Sequence, residues 1–488
     1  MLSIAGEQLQ GERLANGVQV FRGVPFAAPP VADLRWRAPQ PAKPRLGVSD
    51  ATKFSPACPQ DQGNPDWYRN VATALGSDPW AIQPLTDVSE DCLYLNIWTP
   101  KAAPAAGLPV MIWIHGGSNV NGWAYEHNYL GHNLANQGLV VVSINYRLGP
   151  LGFMAHPLLS KEDSNGVSGF YGLLDQLAAI RWVKAHIASF GGNPDKITLA
   201  GESAGGGDIA ALIDMESANG LFQRAIIQSG ALGPNDRSTL SASEAVGTRL
   251  ITHLGAESLA EMRQLSWQGL VRARREVGQD HYFAPIADNV HLKPPTARAE
   301  KVRLLIGSNR DEWRMYLPDD LAKAYRDGLS TYGGNNAAAV DTYLTRRFAD
   351  LATRTDRLIS AAEFLCPSLR LAGNAAAAGN TSYLYQFTRV RPGPNMILAY
   401  HGAEIPYMFA TADVWLPADQ NDRLLTDWMV SYWANFVRVG NPNGPKLPLW
   451  AKLDPASPAG LMLDVPAGPG DPETLKICEM IKTNARQH

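Results

Sequence analysis

Gly201-Glu202-Ser203-Ala204-Gly205 sets a serine between two glycines in the spacing G-x-S-x-G. The string is short, and its setting carries the argument. It follows the apolar run Lys196–Ala200 and precedes Gly206-Gly207-Asp208-Ile209-Ala210-Ala211-Leu212-Ile213, which can begin a helix. Strand, sharp turn and helix are what a nucleophile elbow requires. The turn strains the serine backbone, and a side chain at either glycine would strike the neighbouring strand or helix. The helix N-terminus adds a positive dipole beneath the reacting oxygen. The plainer alternative is a glycine-rich turn that happens to hold a serine.

A serine alcohol is a poor nucleophile at neutral pH and needs a base, usually histidine, oriented by a carboxylate. On an elbow of this kind the partners follow in the chain order Ser, acid, His. The acid belongs on a turn after a later strand. Val302–Gly307 is such a strand, and Asn309-Arg310-Asp311-Glu312 follows it, which leaves Asp311 and Glu312 open. Only His401 and His488 come later, and His488 is the terminal residue, where chains fray. His401 lies in Tyr400-His401-Gly402-Ala403-Glu404-Ile405-Pro406, a loop after the strand near Thr381–Phe387. Taken alone it is equally a hydrogen-bonded structural histidine. Acyl transfer also needs donors for a developing oxyanion, each worth about 3–4 kcal/mol when lost. His115-Gly116-Gly117-Ser118-Asn119 follows the run Pro109–Ile114, and small residues there leave backbone N–H groups open to a ligand. The Ala204 N–H, just after the serine, adds another.

These residues need a frame. Pro109–Ile114, Leu139–Ile144, Lys196–Ala200, Arg224–Gln228, Val302–Ile306 and Thr381–Phe387 are continuous apolar runs of the kind found in strands buried on both faces. Leu173, Leu177, Ile180 and Ile187 mark one helix face, stopped by Gly191-Gly192. Leu425, Trp428, Met429, Tyr432 and Phe436 mark another, stopped by Gly440-Asn441-Pro442. Strands alternating with helices predict an α/β class with a mostly parallel sheet covered on both sides. The Pro-rich first hundred residues predict a small antiparallel edge. Residues 235–300 and 315–375 read as helical insertions over one 1–488 domain, and Lys101 to Gly107 as a surface loop. The chain shows no internal repeat and no charge block.

The chain has 488 residues, with Lys+Arg 43 against Asp+Glu 46, and a net charge of −3. That balance lacks the basic footprint of a nucleic-acid binder. No apolar run approaches the roughly 18 residues of a membrane span. There is no C-x-x-C and no H-E-x-x-H, so no metal and no cofactor is expected. Met1-Leu2-Ser3-Ile4-Ala5-Gly6-Glu7 shows no leader, although a mature chain with a replacement Met would look the same.

Several further blocks give these residues a family likeness. They are Phe21-Arg22-Gly23-Val24-Pro25-Phe26-Ala27, Leu34-Arg35-Trp36, Ser89-Glu90-Asp91-Cys92-Leu93-Tyr94-Leu95-Asn96, Asn145-Tyr146-Arg147-Leu148-Gly149 and Phe190-Gly191-Gly192-Asn193-Pro194. With the elbow, Arg224 to Gly230, Asn309 to Glu312 and His401 to Pro406, the chain resembles the type-B carboxylesterase and cholinesterase family along nearly its whole length. The resemblance implies an α/β-hydrolase fold and hydrolysis of a small-molecule carboxylic ester through an acyl-enzyme. It implies Ser203 as nucleophile, His401 as base and acid, and Glu312 as orienting carboxylate, with Asp311 the lesser alternative. Gly117, Ser118 and Ala204 map onto the oxyanion-hole positions, and Glu202 onto a family glutamate beside the leaving group.

Three departures stand out. Ser118 replaces the usual third glycine, keeping the N–H but restricting the backbone. Asn119 replaces the usual aromatic, which predicts a more polar pocket floor and a substrate with hydrogen-bonding groups; what the resemblance implies for the ester includes a polar or polycarboxylic one. Trp313 replaces the usual glycine and puts bulk near the acid loop. The resemblance also implies the disulfides Cys58–Cys92 and Cys366–Cys478, and paired cysteines predict a periplasmic or secreted protein; four free thiols in the cytoplasm are the alternative. Two other functions stay in view. A choline esterase would use Trp80, in the Cys58–Cys92 loop, to stack a quaternary ammonium. A non-catalytic binding protein could use the same fold.

Overall fold

A computed structural model describes the chain except residues 5, 44, 46, 101–106, 232–236, 279–280, 293–301, 395, 457, 471 and 482–488. Residues 101–106 of the expected loop, parts of the 235–300 segment, and His488 therefore lie outside the described residues. The strands are β1 (Leu2–Ile4), β2 (Glu7–Gln10), β3 (Glu12–Arg13), β4 (Gln19–Pro25), β5 (Val48–Asp50), β6 (Tyr94–Thr99), β7 (Leu108–Ile114), β8 (Val140–Ile144), β9 (Gly192–Glu202), β10 (Arg224–Gln228), β11 (Arg303–Asn309), β12 (Ser382–Phe387), β13 (Leu461–Leu463) and β14 (Gly468–Pro469). β1, β2 and β5 form a small sheet of their own. The other eleven form one sheet in the order β14-β13-β12-β11-β10-β9-β7-β8-β6-β4-β3.

From β8 across to β13 every neighbouring pair is parallel. The ends are antiparallel, at β3, β4 and β6 on one side and β14 on the other. The antiparallel edge expected from the first hundred residues is thus divided between this sheet and the small one. All six apolar runs became strands. β7 after its first residue, β8, and β10 after its first residue are buried, as a sheet covered on both faces demands.

The helix Tyr171–His186 buries Leu173, Leu177 and Ile180 in one core, and the helix Gln420–Val439 buries Leu425, Met429, Tyr432 and Phe436 in the other. Gly440 ends the second helix in the left-handed conformation at φ 73°, a standard glycine stop. Helices Leu240–His253, Leu259–Gln264 and Trp267–Val277 occupy the first expected helical segment. Helices Leu321–Gly328, Ala337–Arg347, Leu351–Ser360 and Cys366–Ala377 occupy the second. No helix among the described residues is long and apolar enough to cross a membrane.

Cys58 bonds Cys92 and Cys366 bonds Cys478. The first closes a separation of 34 residues and the second one of 112. Chain-entropy arguments give these loops about 4 and about 5 kcal/mol of stabilisation. The first loop carries the helix Gly63–Ala74, which forms part of the cavity described below. Replacing Cys58 and Cys92 by alanine should therefore lower the thermal midpoint and also impair activity, whereas the Cys366/Cys478 pair should act chiefly on the midpoint. Calorimetry beside ester turnover checks this; midpoints unchanged in both variants would refute it.

Candidate active site

Ser203 occupies the one-residue turn between β9 and the helix Ala204–Asp214, with φ 54° and ψ −125°. A non-glycine residue there costs on the order of 1–2 kcal/mol, so its surroundings must hold it. Its N–H donates to the Gln228 carbonyl at 2.8 Å, and its own carbonyl accepts from the Gly207 N–H at 3.0 Å. A Cβ on Gly201 would lie 2.8 Å from the Ile114 carbonyl oxygen, and one on Gly205 would run into the same atom. Both glycines are therefore required by the approach of β7. Gly230, which the sequence did not single out, is required too, because a Cβ there would collide with the Ser203 carbonyl.

The carboxylate and imidazole arrive from the ends of later strands. β11 lies between β10 and β12, and the chain turns beyond Asn309. Glu312 is wholly buried; one oxygen accepts from the Asn309 N–H at 2.6 Å and the other from His401 Nδ1 at 2.6 Å. Asp311 is equally buried but faces elsewhere. It accepts from Arg357 at 2.6 Å, Arg310 at 3.0 Å and the Ala399 N–H at 3.1 Å. Of the two acids in this turn, then, Glu312 meets the histidine. The His401 loop is tied down by Asn309, whose side-chain amide donates to the Tyr400 carbonyl at 2.7 Å and to Glu404 at 2.6 Å.

Ser203, His401 and Glu202 line one cavity of about 230 Å³. Among the described residues no hydrogen bond joins Ser203 to His401. The imidazole Nε2 instead stands 3.2 Å from Glu202 Oε1. Burial alone would lower the His401 pKa, but the Glu202 and Glu312 carboxylates, with Glu404 behind them, outweigh it and raise it to about 9. Burial pushes Glu202 up to about 8, against the pull of His401. The two shifts describe one coupled pair. Both shifts favour keeping a proton on the imidazole–Glu202 pair.

Beyond β7 the chain runs through three consecutive left-handed residues: Gly117 (φ 94°), Ser118 (φ 56°) and Asn119 (φ 57°). Gly117 and Ser118 line the cavity. Among the described residues the N–H groups of Gly117, Ser118 and Ala204 donate to no protein acceptor. Free N–H donors beside a serine are able to meet a negative charge.

Asn119 corrects one expectation. It does not floor the cavity but is buried beneath it, donating to Asp208 at 3.1 Å and accepting from the Tyr146 hydroxyl at 3.2 Å. Asp208 has no cation beside it, so burial raises its pKa to about 7, and Asn119 and Gln176 supply the donors it needs. The asparagine serves a buried carboxyl group, not a substrate.

Trp80 is also displaced from the role considered for it: it is 80% exposed and does not line the cavity. Trp67 and Tyr68 do, from the helix Gly63–Ala74 in the same disulfide loop. Their signal was present in the sequence, because Asn64, Trp67 and Tyr68 share one helix face at i, i+3 and i+4. Glu126 was not foreseeable. It is buried in the cavity wall, accepting from Asn64 at 2.8 Å and from the Tyr68 hydroxyl at 2.6 Å. Among the described residues no lysine or arginine lines the cavity. Trp313 does bring bulk to the acid loop. Its ring lies 5.2 Å from Tyr316 and 6.3 Å from Phe364, and Phe364 in turn lies 5.2 Å from the His401 ring. No group of three metal-ligating side chains occurs among the described residues.

Comparison with known proteins agrees with this architecture. The profile of the carboxylesterase family matches residues 3–468. A fumonisin B1 esterase of Sphingopyxis macrogoltabida is 37% identical over 465 residues, covering 91% of this chain and 83% of its own. A para-nitrobenzyl esterase of Bacillus subtilis (strain 168) is 33% identical over 455 residues, covering 88% of each chain. A solved PNB esterase structure superposes with a TM-score of 0.83 at 29% identity, covering 99% of this chain and 100% of that one. With its α/β-hydrolase fold and esterase relatives, this chain belongs to the carboxylesterase family and is a carboxylic ester hydrolase.

Proposed function

We propose that the ester is cleaved through an acyl-enzyme, with Ser203 as nucleophile, His401 as base and acid, and Glu312 as the orienting carboxylate. The observation that carries this reading is the buried 2.6 Å bond from His401 Nδ1 to Glu312, made beside a cavity that Ser203 also lines. That bond fixes the tautomer that leaves Nε2 a free lone pair once the ring is neutral. Nε2 then exchanges Glu202 for Ser203 as its partner and takes the Oγ proton as Oγ attacks the ester carbon. The oxyanion is met by the N–H groups of Gly117, Ser118 and Ala204. Collapse expels the alcohol, which leaves with the proton from Nε2. A water activated by the same imidazole attacks the acyl carbon and releases the acid and Ser203.

The cavity wall bears on the substrate. Glu126 and Glu202 are carboxyl groups, and among the described residues no lysine or arginine lines the cavity with them, so an ester with carboxylates beside the scissile bond is disfavoured. This weighs against the polycarboxylic reading. A choline-type ester is the second reading the wall favours, with Trp67 in place of Trp80 as the aromatic face. The fumonisin B1 esterase relative makes that toxin a natural member of any test panel. The two disulfides support an oxidising compartment, periplasmic or extracellular.

Wild type should give a burst with p-nitrophenyl acetate, and Ser203→Ala should lose turnover by about 10⁴-fold or more. Glu312→Gln should lose about 10³-fold. Persistence of the burst without Ser203 would refute the assignment. Only neutral imidazole accepts the serine proton, so kcat/KM should rise with pH as His401, raised to about 9, deprotonates. Glu202→Gln removes the carboxylate that favours imidazolium and should move that rise to lower pH by about one unit. A variant profile superimposable on wild type would contradict the Glu202 role. In an ester panel, neutral and cationic substrates should exceed polycarboxylic ones by about tenfold in kcat/KM; a preference for the anions would reverse the charge argument.

A further inference from the structure

The mouth of the cavity is spanned by one hydrogen bond, from the Trp67 indole N–H to the Tyr316 hydroxyl at 2.8 Å. The partners lie 249 residues apart. Trp67 belongs to the helix Gly63–Ala74 in the first disulfide loop, and Tyr316 to the turn Arg314–Tyr316 just after Glu312. Both line the cavity beside Ser203 and His401. The Tyr316 ring centroid is 6.4 Å from that of His401, and the outer edge of the Trp67 ring comes within 3.6 Å of where a Cβ on Gly402 would lie. The bridge therefore roofs the imidazole. Tyr316 is 39% exposed, so the bond sits at the rim and not in the depth of the site.

Under this roof the cavity measures about 230 Å³, below the ~300–1,000 Å³ typical of pockets that enclose drug-sized ligands. A closed bridge leaves less room for a bulky ester than for a small one. Opening the bridge is cheap, because at the rim water replaces the lost partner for both donor and acceptor. The two walls are held independently of it. Tyr68 and Asn64 anchor the helix to Glu126, and the Trp313 ring packs at a tilt against Tyr316. Loss of the bond leaves both rings supported but no longer joined.

We propose that Trp67 and Tyr316 are specificity-determining residues whose hydrogen bond acts as a size filter on the ester. The inference rests on the ester-hydrolysis reading above and adds to it the basis of substrate size selection. Bulky esters must break the bridge to reach Ser203, and small ones need not.

The test compares kcat/KM for p-nitrophenyl benzoate and p-nitrophenyl acetate in wild type, Tyr316→Phe and Trp67→Phe. Tyr316→Phe keeps the ring and removes the acceptor; Trp67→Phe removes the donor, and serves independently should the first variant fold poorly. The benzoate-to-acetate ratio should rise about threefold to tenfold in each, the worth of one hydrogen bond between uncharged partners. An unchanged or lower ratio in the folded variants overturns the filter while leaving ester hydrolysis standing. Wild type that turns over neither ester overturns both.

Discussion

A carboxyl group with no solvent exposure has given up its hydration, and donors must replace the lost water. Glu312 is such a group, and its two oxygens are met by the Asn309 N–H and by His401. The rest of the site follows from satisfying it. Asn309 ends β11 and also grips Tyr400 and Glu404 through its side chain. Glu404 in turn accepts from Gln228 at the end of β10, and Gln228 accepts from Trp433 in the long C-terminal helix. The same Gln228 offers its backbone carbonyl to the Ser203 N–H. One connected set of hydrogen bonds thus joins the serine turn, the acid turn and the histidine loop. A half-satisfied network in that position would cost more than an apolar one.

The parallel sheet makes this network possible. β9, β10, β11 and β12 run side by side in register, so their C-terminal ends open on one edge. Serine follows β9, the acid follows β11 and the histidine lies in the segment after β12. Residues separated by 89 positions or more reach one edge because neighbouring strands end together, and ligands bind at such edges for the same reason. The close approach of β7 to the serine turn brings Gly117 and Ser118 to the same edge, and it also forbids side chains at Gly201 and Gly205.

This much was legible in the sequence. Continuous apolar runs mark buried parallel strands, and the chain order Ser, acid, His leaves few histidines to choose from. What stayed open had local causes. Asp311 and Glu312 are adjacent and both buried, and only the turn geometry decides that the first meets Arg357 and the second His401. Asn119 was misread because its left-handed φ of 57° points the side chain under the strip toward Asp208, 89 residues away. Nothing in the local string announces that pairing. Trp80 and Trp67 share one disulfide loop, and the helical face that Trp67 shares with Asn64 and Tyr68 was the better guide than distance from a cysteine. Glu126 carried little signal, because two of its partners, Asn64 and Tyr68, stand on a helix 62 and 58 residues earlier in the chain.

The carboxyl groups around His401 act in two directions. Moving an imidazole from 6.5 to about 9 is worth about 3 kcal/mol in favour of the protonated ring. On the mechanism proposed above, that stabilises the species formed when Ser203 gives up its proton, and therefore the transition state. It is also a ground-state cost, since the base must first be neutral. The two are separable because the carboxylates differ in place. Glu312 touches Nδ1, whereas Glu202 touches Nε2, the atom that the proposed mechanism turns to the serine. A substrate that draws Nε2 away from Glu202 removes much of the ground-state penalty while Glu312 keeps its share of the stabilisation. The same protein group can therefore hold the resting site protonated and still leave a strong base–carboxylate pair for the reaction.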